Sequence, residues 1–69
     1  MNESTIREAK NRAEVYLSLS IAALCDIFEF DYNEIITSYE LPPMKSGEDI
    51  KSYDSLKFMV NKLKELRLQ

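Results

Sequence analysis

Cys25 and Asp26 stand side by side, and Glu29, Asp31 and Glu34 follow within nine residues of the cysteine. A thiol among carboxylates suggests two chemistries: a nucleophile, or oxygen ligands for a hard cation. A nucleophilic thiol needs a base to take its proton or a positive neighbour to hold the thiolate. The chain has no histidine, and the charge of Asp26 raises a neighbouring thiol's pKa. Cys25 therefore reads as a small hydrophobe in or near a core. An EF-hand loop starting at Asp31 matches at Asn33. It then has Ile35 where an acid or amide is required and Ile36 where glycine is required. The carboxylates read as a solvated acidic face, and no metal or cofactor is expected. Without histidine there is no triad and no imidazole acid–base chemistry. A single glycine in the chain excludes a glycine-rich phosphate loop. Paired-carboxylate hydrolysis needs a cleft, which 69 residues in a few helices rarely form. No enzymatic activity is expected.

The element that must carry these residues is the apolar run over 13–30. Assigning about 100° per residue places Ile6, Ala9, Ala13, Tyr16, Leu17, Ser20, Leu24, Ile27 and Phe28 on one broad face. Ile21 lies at its edge. Val15, Leu19 and Ala22 form a second apolar patch on the opposite side, bounded by Glu8 and Asp26. A helix apolar on two sides has neighbours on two sides. One expected neighbour is a second copy of the chain, because a core of this size rarely supplies more than about 3–5 kcal/mol. The expectation is a homodimer with Val15, Leu19 and Ala22 in its interface. The run is too short to span a membrane: eleven uncharged residues separate Glu14 from Asp26, and a span needs about 20. Mixed charges at the start, and Leu24 before Cys25, argue against a secretory or lipoprotein signal. One cysteine and no export signal suit the cytoplasm.

The charge pattern is uneven. Residues 1–12 carry +1, residues 13–49 carry −7 and residues 50–69 carry +3. An acidic middle and a basic end attract each other, within one copy or between copies, or else the acidic middle docks a basic partner. The net charge of −3 and the scatter of Lys57, Lys62, Lys64 and Arg67 around their helix oppose direct nucleic-acid binding.

The period and caps predict an all-α fold: a long helix over 5–29, a short one over 31–40 and a third over 47–68. Thr5 with Glu8 gives a capping box for the first. Asp31 with Glu34 gives one for the second, with Phe30 and Ile35 as the hydrophobic staple. The alternative over residues 28–39 is a β-hairpin, since Phe28, Phe30 and Tyr32 alternate with polar residues and Ile35, Ile36, Thr37 and Tyr39 favour strands. Pro42-Pro43 makes a stiff corner. Ser46 is the expected cap of the third helix. There Tyr53, Leu56, Met59, Val60, Leu63 and Leu66 form one inner stripe. Phe58 falls roughly 150° from the centre of that stripe, among charges.

The functional expectation is a single-domain protein-interaction module: a small cytoplasmic regulator, inhibitor or adaptor. Its binding surface is expected at Asp26, Glu29, Phe30, Asp31, Tyr32 and Glu34, with Phe58 as a separate anchor. Compact acidic chains of this kind are common among phage and mobile-element regulators. The alternatives are a structural assembly subunit, whose conspicuous surfaces are all self-contacts, and a small DNA-associated transcription regulator.

Overall fold

The computed structural model describes residues 2–68, which form three helices and no strand. They are α1 (Glu3–Phe28), α2 (Tyr32–Ser38) and α3 (Ile50–Arg67). The fold is all-α, as the period predicts, and the alternation at Phe28–Tyr32 marks a helix junction instead of a hairpin.

α1 starts earlier than the Thr5–Glu8 pattern suggests. Asn2 is the N-cap. Its Oδ1 accepts from the Thr5 N–H at 2.8 Å and from the Thr5 hydroxyl at 2.9 Å. Thr5 is thus a donor to the cap inside the first turn. α1 ends where Glu29 turns left-handed at φ 58. The Phe30 N–H then reaches back to the Cys25 carbonyl at 3.0 Å. The same carbonyl accepts from the Glu29 N–H, so two donors close the end of the helix on one oxygen.

α2 starts as its capping pattern predicts, with the Asp31 Oδ1 accepting from the Glu34 N–H at 3.2 Å. Of the staple pair, Ile35 is buried in the core and Phe30 packs against it. The helix stops at Ser38, short of the expected residue 40. The hydroxyls of Thr37 and Ser38 donate to the carbonyls of Asn33 and Glu34 at 2.7 and 2.9 Å. Such back-bonding competes with the helix ladder. Tyr39 then turns left-handed at φ 60, its N–H on the Ile35 carbonyl. The proline corner is pinned by the Tyr53 hydroxyl, which donates to the Pro42 carbonyl at 2.8 Å.

α3 is capped by Asp49, three residues past the expected Ser46. Gly47 sits at φ +87, in a turn that no right-handed helix continues through. Asp49 accepts from the Lys51 N–H at 3.0 Å and from the Ser52 hydroxyl at 2.8 Å. These bonds hold its carboxyl below the usual range, the Ser52 bond first.

The core unites Ile21, Cys25 and Phe28 of α1, Ile35 of α2, and Leu56, Val60 and Leu63 of α3. α1 and α3 run antiparallel. Tyr53, at the start of α3, meets the Phe28 ring edge-on at 5.9 Å. Arg67, at its end, reaches Glu14. The inner stripe of α3 is as expected, but that of α1 is not. The side chains turned inward are Glu14, Leu17, Ile21, Leu24, Cys25 and Phe28. Tyr16 is 67% exposed, Ile27 61% and Ile6 42%. The true inner face is rotated by roughly 80° from the expected one, counting about 100° per residue. α1 is apolar around most of its girth, so the docking of α2 and α3 decides which side is inside. Residues 2–9 are all exposed, and α1 runs on past the end of α3. The molecule measures 47 × 19 × 14 Å. No described helix is long and apolar enough to cross a membrane.

Candidate protein-interaction surfaces

The junction of α1 and α2 gathers the predicted acidic corner. Asp26, Glu29, Asp31 and Glu34 are exposed. Phe30 and Tyr32 are half-buried against the core, and the Phe30 ring stacks on Phe28 at 5.4 Å. The aromatics of the corner are therefore partly engaged in holding the fold. One Asp31 oxygen is engaged in capping α2, and Glu29 occupies a backbone conformation better suited to glycine. What remains free is a rim of carboxylates around a small aromatic base.

Cys25 is 1% exposed. Burial pushes its thiol pKa up, and the charges of Asp26 and Asp31 push it further. A buried, protonated thiol is a poor nucleophile. Among the described residues, no group of three acidic, cysteine or histidine side chains could hold a metal ion.

Phe58 points outward, as its register predicts, and is 62% exposed. The Lys62 ammonium lies 5.4 Å from its ring centroid, close enough for a cation–π contact. Lys62 also meets Glu65 at 3.4 Å, with both side chains about half exposed, so that pair adds little stability. On the same side of α3, Lys62, Glu65 and Leu66 line a shallow groove with Ala13, Tyr16, Leu17 and Ser20 of α1.

The outer face of α1 carries the expected second patch and more. Val15 is 56% exposed and Leu19 64%; Ala22 is half-buried beside them. Tyr16, Ala23 and Ile27 extend the patch, all exposed. The spacing of Tyr16 and Ile27 fits the face expected to be inner, yet both are exposed. They could be placed only by knowing which face α3 takes.

Arg67 is the other residue the sequence did not single out. Its guanidinium donates to the Ile36 carbonyl at 3.1 Å and to the Tyr39 hydroxyl at 3.4 Å. It also lies 3.7 Å from a Glu14 carboxylate oxygen. One side chain thus ties the ends of α2 and α3 to the middle of α1. α2 has no basic residue in its own last turn, so Arg67 supplies the positive charge that a helix C-terminus favours.

Comparison with known protein families, curated proteins and solved structures finds no match to this chain.

Proposed function

We propose that this chain is a non-enzymatic protein-interaction module, a small cytoplasmic regulator, inhibitor or adaptor. It engages a protein partner through Phe58, with the acidic rim of the α1–α2 junction as a second contact. One observation carries the reading: Phe58 of α3 is 62% exposed among the exposed charges of Lys51, Asp54, Lys62 and Glu65. The chain is also extended for its mass. The chain exposes 5128 Å², whereas a folded monomer of its 8.1 kDa mass exposes about 4,500 Å². An aromatic such as Phe58 suits the centre of a contact, and carboxylates suit its polar rim. The buried, reduced Cys25 fits a cytoplasmic setting.

The test is affinity capture from cells that express the protein naturally, with wild-type chain and a Phe58→Ser variant as baits. A partner held by wild type, lost by Phe58→Ser and kept by a Lys57→Ala control supports the reading. The interaction must then be rebuilt from the two purified proteins. Equal capture by wild type and Phe58→Ser refutes the role of Phe58.

A further inference from the structure

We propose that the outer face of α1 binds a second copy of this chain, antiparallel, on a two-fold axis at Leu19. This goes beyond the partner contact assigned to Phe58 and uses a different face.

The face encodes its own complement. Arg12, Leu19 and Asp26 stand seven residues apart. Residues at that spacing drift by only about 20° per step on a helix, so all three share one line. An axis through Leu19 brings residue 12 of one copy to residue 26 of the other, twice by symmetry. Arg12 then meets Asp26 of the second copy at both ends of the contact. Both side chains are exposed, and neither makes an ion pair among the described residues.

Shape follows the same register. Residues 15 and 22 lie on one side of the line and residues 16 and 23 on the other, so the axis sets residue 15 against residue 22 of the second copy and residue 16 against residue 23. Val15 therefore meets an alanine, and so does Tyr16, a bulky side chain against a small one in each case. A parallel pairing fails both tests. It sets Arg12 on Arg12, Asp26 on Asp26 and Tyr16 on Tyr16.

The shape leaves this face open: the chain exposes about 600 Å² more than a compact monomer of its mass. The Cα radius of gyration, 13.3 Å, exceeds the about 11 Å of a compact chain of this length. The elongation comes from the long, half-covered α1. In the dimer the N-terminal part of each α1, with Arg7, Lys10 and Arg12 against Glu3 and Glu8, extends towards the acidic α1–α2 junction of the other copy.

Sedimentation equilibrium on the full chain tests this. Wild type is expected to be a dimer. Leu19→Glu, at an exposed position, is expected to be a folded monomer with unchanged helical circular dichroism. Arg12→Asp and Asp26→Arg should each weaken association by about tenfold or more, since each creates two like-charge contacts. The chain carrying both exchanges should regain dimerisation to within about threefold of wild type, because each copy then offers the reversed pair. Rescue is specific to the antiparallel register; a parallel dimer cannot show it. A wild type that stays monomeric up to about 1 mM overturns the proposal, as does a double variant no better than the singles. Phe58→Ser should dimerise normally, so a failed dimer and a failed partner contact are separate results.

Discussion

Arg67→Met removes the guanidinium and keeps most of the aliphatic stem, so the change isolates the clasp from its packing. The 3.1 Å bond to the Ile36 carbonyl involves a charged donor. Such bonds contribute about 1.5–3 kcal/mol, and the side chain's 33% exposure places this one near the lower end. Loss of positive charge at the end of α2 adds about 0.3–1 kcal/mol. The expected cost is about 2 kcal/mol. In a domain of this size that is a fall in Tm of roughly 8–16 °C. The Glu14 contact is long, at 3.7 Å, and about one-third exposed on both sides. Glu14→Gln should therefore cost under about 0.5 kcal/mol. Tyr39→Phe removes only a 3.4 Å bond and should cost about as little. The assay is thermal melting by circular dichroism at one protein concentration, since association makes Tm concentration-dependent. Repeating it at high salt keeps the carbonyl bond and screens the ion pair. If Glu14→Gln costs as much as Arg67→Met, or if salt erases the Arg67 effect, Arg67 acts as a surface ion pair and the capping account of α2 fails.

Glu29→Gly should raise stability by about 1 kcal/mol in urea unfolding, because φ 58 disfavours a side chain there; a loss would show that the Glu29 carboxylate supports the fold. Cys25 should resist thiol reagents in the folded chain and react freely in urea, and fast labelling of native protein would contradict its burial. The thiol's pKa is raised in the folded state from 9.0, so folding favours the proton. The stability this contributes is complete below pH 9.0 and is lost as pH rises through the folded pKa, read from urea midpoints in alkaline buffers. Phe58→Ser should cost less than about 1 kcal/mol, the scale of its cation–π contact with Lys62; easy unfolding would place it in the core.

The parts of the fold legible in the sequence are those fixed by local chemistry. Asp31 and Glu34 start α2 because capping needs only neighbours within one turn. The α3 stripe of Leu56, Val60 and Leu63 is legible because its other faces are mostly polar. Two caps were misplaced where equivalent residue types compete: Asn2 takes the role expected of Thr5, and Asp49 that of Ser46. The orientation of α1 was not legible. A helix bearing Val15, Tyr16, Leu19, Ile21 and Ile27 has apolar side chains in nearly every direction, and contacts distant in sequence choose the inner one. Arg67 was hidden for the same reason, since its carbonyl partner lies 31 residues away. The carboxylates of the acidic corner were legible as exposed, but the half-burial of Phe30 and Tyr32 depends on their stacking and core contacts.

The antiparallel closure of α1 on α3 also sets a timetable. Ile21, Cys25 and Phe28 are made early, while their partners Leu56, Val60 and Leu63 come some 35 residues later. At about 5–20 residues per second, synthesis leaves the inner face of α1 uncovered for about 2–7 s. During that interval both sides of the helix are bare, and nothing yet distinguishes core from surface. Arg67, which secures α2, is the last residue of α3 and is made later still. The two faces of α1 are therefore assigned late, and the outer one is exposed to other molecules before the inner one has been filled.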